Sequence, residues 1–132
     1  MAETIWLSSD RPHDDDYAIE TARALSEAVR LLNHASLSHA GITYPSTVHQ
    51  VLGHIGDTAA RLDQLLTQLG DALGRMQASR QLVDDHGDPS ERLDKALSEL
   101  ASARKAASDL AYRTHRAFNT SASLHLKAGG EH

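Results

Sequence analysis

A long apolar repeat in the middle of the chain is the feature that most constrains its fold. Nine apolar residues follow one another at intervals of three or four positions, and we call them the leucine seam: Val48, Leu52, Ile55, Ala59, Leu62, Leu66, Leu69, Leu73 and Met76. A mean spacing of 3.5 residues is typical of a helix that winds along a second helix in a left-handed supercoil. At about 1.5 Å per residue, this repeat predicts a contact seam roughly 42 Å long.

The composition predicts an all-α fold. The chain has 132 residues, enough for one domain with its own core, and only 4% of them are aromatic. Strands favour aromatic and β-branched residues, whereas alanine and leucine dominate here and suit close helix packing. Because the chain has no cysteine, a disulfide scaffold and a thiolate metal site are both excluded.

Start and stop residues divide the chain into three predicted helices of about 25, 36 and 36 residues. The first begins in the acidic run Asp14–Asp16 and ends near His39, closed by a left-handed Gly41. Its apolar stripe comprises Ala18, Ala22, Leu25, Val29 and Leu32. Tyr44-Pro45 requires extended backbone, so Ser46 is the expected N-cap of the second helix.

The second predicted helix runs from Thr47 to about Leu82, and the third begins at Pro89 with Asp88 as its N-cap. The third helix should fray after Leu124 to Leu126. Its apolar stripe comprises Leu93, Leu97, Leu100, Ala107, Ala111, Thr114 and Phe118, with Arg104 as the one charged intruder.

These elements predict a three-helix antiparallel bundle with a long hairpin of helices two and three. Residues 1–13 are expected to be a flexible arm, residues 14–128 the bundle and residues 129–132 a disordered tail. The first helix is too short to cover the hairpin, so an apolar face would stay open. We therefore expect a homodimer that completes a larger bundle, with a different protein as the alternative partner.

Charge and hydropathy argue against nucleic-acid and membrane partners. The formal charge is −5, and residues 1–27 carry seven acidic and two basic side chains. A nucleic-acid footprint needs clustered Lys and Arg, which are missing here. The chain shows neither a signal peptide nor a run of eighteen apolar residues, so we expect a cytoplasmic protein.

The sequence offers no catalytic, cofactor or metal site. Nine histidines suggest metal binding, but His34 and His39 are five residues apart, as are His49 and His54, whereas one helix face needs a spacing of three or four. There is also no Glu-x-x-His pair, nucleophile elbow or phosphate-binding loop. We predict no enzyme activity and no cofactor.

Four glycines in the second helix, Gly53, Gly56, Gly70 and Gly74, each cost about 1 kcal/mol relative to alanine. That cost favours close packing, with Gly70-x-x-x-Gly74 as the pair that would let another helix approach, although a strong leucine seam would also tolerate the glycines.

Two short apolar segments are candidate partner-binding elements. Ile5, Trp6 and Leu7 stand in an otherwise polar arm, and aromatic anchors often carry most of the energy of an interface. The alternative is that Trp6 fills a groove of its own bundle. Ile42 and Tyr44, between the first two helices, pose the same choice between partner binding and capping the bundle.

Several segments resemble a group of small, uncharacterised helical proteins of actinobacteria. They are Leu31-Leu32-Asn33-His34-Ala35, Tyr44-Pro45-Ser46, Val51-Leu52-Gly53 and Arg61-Leu62-Asp63-Gln64-Leu65-Leu66, and the resemblance covers roughly residues 25–110. It implies a helical fold and no catalytic residue.

The sequence is therefore interpreted as a non-enzymatic interaction or structural bundle. Two alternatives remain: a bundle that binds a ligand or metal through Arg104, Thr114 and central histidines, and a secreted or toxin-neutralising partner protein.

Overall fold

A computed structural model describes residues 9–128 of the chain. Three helices account for its regular structure: α1 (Asp15–Ser36), α2 (Pro45–Ala78) and α3 (Pro89–Ser121). No strand occurs in this range, so the all-α prediction is confirmed. The helices α2 and α3 pack together as an antiparallel hairpin, which confirms that part of the predicted architecture. The helix α1 belongs to a separate compact unit of the chain.

The helix α1 begins where the acidic run predicts. The Asp14 carboxylate accepts a hydrogen bond of 2.8 Å from the amide of Tyr17, which satisfies one of the free amides of the first turn. The segment just before it also contacts α1, because Arg11 Nη1 donates to Glu20 Oε2 at 2.7 Å. None of the α1 residues is buried within the described structure.

The end of α1 differs from the prediction. The helix stops at Ser36, three residues before His39, and its cap, Leu37, keeps a right-handed backbone with φ −74°. The predicted left-handed backbone at Gly41 is wrong, because Gly41 does not adopt that conformation. A Cβ atom at Gly41 would instead clash with the carbonyl oxygen of Ala35, so glycine is needed here because the backbones of residues 35 and 41 come close.

The helix α2 begins two residues earlier than expected, at Pro45 rather than Thr47. Its N-cap is Tyr44, not Ser46, and no side chain caps it. Tyr44 is extended, with φ −119° and ψ 148°, as a residue before proline should be, and Pro45 occupies the first turn. The helix ends at Ala78, four residues before the predicted Leu82, because Arg80 adopts the left-handed conformation that terminates helices, with φ 60°.

The start of α3 confirms its predicted cap. Asp88 accepts a hydrogen bond of 2.9 Å from the amide of Ser90, and Pro89 follows the cap. Before it, Asp84 pairs with Gly87 in an isolated bridge, and its carboxylate lies 3.3 Å from Arg92 Nε. The Gln77 amide donates to Ser90 Oγ at 2.9 Å and ties the end of α2 to the start of α3.

The core of the hairpin is small. The buried apolar residues of the described chain are Ala59, Leu93, Ala107 and Ala111, and none of the described larger side chains is completely buried. Three of these four are alanines, so α2 and α3 come close together without enclosing much apolar volume. A hairpin of this kind removes little surface from water, and burial of apolar surface is the main stabilising term in folding.

Candidate interaction surface

The side of α2 that faces α3 is marked by a row of positions seven residues apart. Gly56 lies against His115, Asp63 pairs with Arg104, and Gly70 lies against Leu97. These positions flank half of the leucine seam, Leu52, Ala59, Leu66 and Leu73, which is buried or half-buried. The contact with α3 is therefore centred between the glycine row and that half of the seam.

The remaining five seam positions differ in how far they are covered. Ile55 and Leu62 are half-buried, whereas Val48, Leu69 and Met76 remain 41%, 49% and 51% exposed. Leu65, one helical turn before Leu69, is 42% exposed. The nine seam residues do not all face one partner helix, as the sequence repeat had suggested. The helix α2 therefore keeps an exposed apolar stripe at Val48, Leu69 and Met76, which is interrupted by the half-buried Ile55 and Leu62.

A row of mostly small residues on α3 lies beside this exposed stripe. Ala96, Ala103, Leu110 and Ala117 repeat every seven residues, next to the α3 stripe that faces α2. Ala101 and His115 flank that stripe on its opposite side, where Ala101 lines a groove with Gly74 and His115 pairs with Asp57. Gly74 of α2 and Ala101 of α3 therefore lie on the groove side of the hairpin. The exposed α2 stripe and the α3 row that begins at Ala96 lie on the opposite side.

We call open face the far side of the hairpin from this groove. It consists of the exposed α2 stripe with Leu65 and of the α3 row: Val48, Leu65, Leu69, Met76, Ala96, Ala103, Leu110 and Ala117. Leu110 is 47% exposed, so large apolar side chains on both helices contact water. Exposed apolar residues are ordinary when scattered, but a cluster of large ones, as at Leu65, Leu69 and Met76, indicates a candidate interaction surface.

The opposite side, which we call the polar face, satisfies its own polar groups. Arg104 Nε donates to Asp63 Oδ1 at 2.9 Å, and His115 Nε2 lies 3.2 Å from Asp57 Oδ1. Arg104 is the one charged residue in the apolar stripe of α3, and Asp63 supplies the carboxylate that pairs with it. Both side chains of that pair are more than a third exposed, so the pair contributes little to stability but helps to fix the register of the two helices.

An open groove of about 660 Å³ runs along the distal half of the polar face. Thr67, Asp71, Arg75 and Arg104 contribute polar atoms to its walls, and Gly70 and Gly74 keep its floor low. Thr114, the other interior polar candidate from the sequence, does not reach it, because its hydroxyl donates to the Leu110 carbonyl oxygen at 2.7 Å on its own helix.

The glycines of α2 divide into two kinds. A Cβ atom at Gly53 would come within 2.8 Å of the Phe118 ring, and one at Gly56 within 2.7 Å of the His115 ring. The closest approach of α3 therefore occurs at these two positions and not at the predicted pair, Gly70 and Gly74. At Gly70 the nearest atom, on Leu97, would be 3.3 Å away, while Gly74 has nothing within 4 Å. Nothing in the structure explains glycine at position 74.

His49 has a structural role that the spacing of the histidines did not predict. Its ring stacks on Phe118 with 3.9 Å between the centroids, and Nδ1 lies 2.8 Å from the Phe118 carbonyl oxygen. Since a carbonyl oxygen only accepts, Nδ1 carries the proton in this contact. The seven-residue step from His49 to Gly56 and Asp63 places it on the α3-facing row and would have indicated this role.

The predicted partner-binding residues lie near the surface or outside the described range. Ile42 and Tyr44 are half-buried, and the Tyr44 carbonyl oxygen accepts the amide of Thr47 at 3.0 Å in the first turn of α2. Ile5, Trp6 and Leu7 lie outside residues 9–128, so their role stays a prediction.

Other site types find no support in residues 9–128. No group of three or more His, Asp or Glu side chains there is arranged to hold a metal ion. No helix in this range is both long enough and apolar enough to cross a membrane. Comparison of the chain with protein-family models, curated proteins and solved structures finds no match. The resemblance to actinobacterial helical proteins stays a prediction.

Proposed function

We propose that this protein is a non-enzymatic interaction module whose helical hairpin assembles with another chain through the open face. The observation that carries the proposal is the row of large apolar side chains left in water along α2, at Leu65, Leu69 and Met76. Covering the exposed half of one such side chain gains roughly 1 kcal/mol. Repeated along the hairpin, this gain favours association, and the small core provides little competing stability.

The helix α1 belongs to the same proposal. It carries an apolar stripe that includes Leu25, Val29 and Leu32, which are 39%, 44% and 41% exposed. An amphipathic helix of this kind gains most of its stability from packing rather than from its own propensity. We propose that α1 joins the hairpins as the third helix of each chain in a larger bundle, and that the larger bundle is a homodimer, the commonest symmetric assembly.

The proposal extends to the remaining sequence predictions. The protein acts in the cytoplasm, without enzyme activity, a cofactor or a nucleic-acid partner. The segments at Ile5–Leu7 and at Ile42 and Tyr44 are additional contact points for a partner protein. A formal charge of −5 and the absence of cysteine agree with these assignments.

A ligand-binding bundle is the second candidate, and the groove on the polar face is the observation in its favour. Arg104, its strongest anchor for an anionic ligand, already pairs with Asp63. The groove is also open to solvent along its length, whereas small-molecule sites enclose most of their ligand. Native mass spectrometry of the purified protein discriminates the two candidates, since a retained small molecule would favour ligand binding.

Two neighbouring substitutions test the interaction module. Leu69→Asp places a carboxylate in the open face, and Gln68→Asp places the same group on an exposed position one residue away. Leu69→Asp should weaken self-association at least about tenfold, whereas Gln68→Asp should change it little. Sedimentation velocity over a range of concentrations measures both. Equal association of the two variants would remove the open face from the proposal.

A further inference from the structure

The open face is asymmetric in the size of its side chains. The α2 side carries Leu65, Leu69 and Met76, which form a ridge. The α3 side carries Ala96, Ala103 and Ala117, with Leu110 as the single large residue, and forms a trough. A flat apolar surface would accept many helices in many orientations, but a ridge beside a trough selects a partner that presents the reverse order.

We propose that a second copy of this chain occupies the open face, with the α2 ridge of each copy seated in the α3 trough of the other. This inference rests on the proposed function and assigns its partner and geometry. The two copies are related by a two-fold axis parallel to the helices. That operation exchanges the ridge and trough sides of the facing hairpin, so large side chains meet small ones twice over, which allows close packing.

The register of the hairpin supports this arrangement. Gly70 lies against Leu97 and Leu100, so Leu69 stands at the level of α3 between Ala96 and Ala103. An axis parallel to the helices preserves levels. Leu69 of one copy therefore faces the gap between Ala96 and Ala103 of the second copy, as a knob faces a hole.

The alternative two-fold axis, perpendicular to the helices, is disfavoured by the same residues. It would place α2 on α2 and α3 on α3. Leucines would then meet leucines along one side, while Ala96 and Ala103 would meet small residues and leave a void. Interiors of proteins do not tolerate such voids without cost.

The footprint of a second hairpin on this side is of the size that a stable dimer needs. From Val48 to Met76 the hairpin side is roughly 42 Å long and two helices wide, about 20 Å, so each copy would cover on the order of 840 Å², including the half-buried Ile55 and Leu62. Standard protein interfaces bury about 800 Å² on each partner. A second copy also matches the length of the open face, because its hairpin is built from the same helices.

Single cysteines test the geometry, because the natural chain has none. Leu69→Cys and Ala103→Cys are prepared separately, one with a mass tag, mixed under reducing conditions to exchange subunits, and then oxidised. The mixed disulfide should form at least about ten times faster than either homodisulfide, since the proposed packing brings only that pair within the Cα separation of ~7 Å that a disulfide needs. Ala101→Cys, on the polar face, is the matched control and should not link to Leu69→Cys.

The outcomes separate this inference from the proposed function. Rapid linking of Leu69→Cys to itself would show α2 packed on α2 and would overturn the geometry while self-association stands. A dimer in sedimentation without the mixed disulfide would also overturn it. A monomer at every concentration would contradict both the inference and the proposed homodimer.

Discussion

The two long sides of the α2–α3 hairpin come from the same two helices and differ in how their side chains are satisfied. On the polar face, Asp63 pairs with Arg104 and Asp57 Oδ1 lies 3.2 Å from His115 Nε2, so polar side chains of the two helices contact each other. On the open face, Leu69 and Met76 contact nothing that covers them and stay about half exposed. The polar face therefore has partners for its polar side chains within one chain, whereas the open face leaves large apolar side chains in water. We expect assembly to occur at the open face.

The largest expected loss of stability comes from the seam residues that face α3, between the polar face and the open face. Leu66 is half-buried on the α3-facing half of the leucine seam. Leu66→Asp would place an unpaired charge between the helices and should destabilise the protein by roughly 3–5 kcal/mol, enough to unfold or dissociate it. Thermal denaturation followed by circular dichroism measures this. His86→Ala, in the exposed hairpin loop, is the control and should be nearly silent; equal melting temperatures would remove the argument for the seam.

Two glycine substitutions should change the free energy of unfolding in opposite directions. Gly53→Ala brings a methyl group within 2.8 Å of the Phe118 ring, so overpacking of about 1–3 kcal/mol should exceed the gain of about 1 kcal/mol in helix propensity. Gly74→Ala meets no atom within 4 Å and should stabilise the hairpin by up to about 1 kcal/mol. Urea denaturation of the two variants gives both values. Stabilisation by Gly53→Ala would show that α3 does not approach α2 as described.

The smallest expected effect lies on the polar face. Arg104 and Asp63 form an ion pair whose side chains are 46% and 37% exposed, so solvent screens it strongly. Arg104→Ala should therefore cost no more than about 1 kcal/mol. The loss should shrink as salt is added, because screening already weakens the pair in the natural protein. A salt-independent loss of several kcal/mol would contradict this account, because the polar face would then contribute strongly to the stability of the hairpin.

Local signals in the sequence predicted the three helices and the α2–α3 hairpin well, but several of the helix ends poorly. Asp88-Pro89 identifies the start of α3 because the cap and the proline act within one turn. Ser46 was wrong as the cap of α2 because Pro45 already occupies the first turn without a side-chain cap. Arg80 ends α2 with a left-handed backbone that arginine rarely adopts, so no composition rule placed that end.

The division of the leucine seam could not be read from apolar periodicity alone. That periodicity identifies all nine positions but not which half faces α3. The deciding residues, Gly56, Asp63 and Gly70, are glycine or polar and fall outside an apolar count. Their contacts depend on His115, Arg104 and Leu97, which are distant in the sequence. The open face is therefore a consequence of tertiary pairing.

Sedimentation equilibrium of the unmodified chain at micromolar concentration tests the central claim most directly. The open face predicts a species of twice the chain mass that dissociates on dilution. A single species with the mass of one chain across the whole concentration range would contradict the account, because the exposed leucines of α2 would then stay in water without a partner.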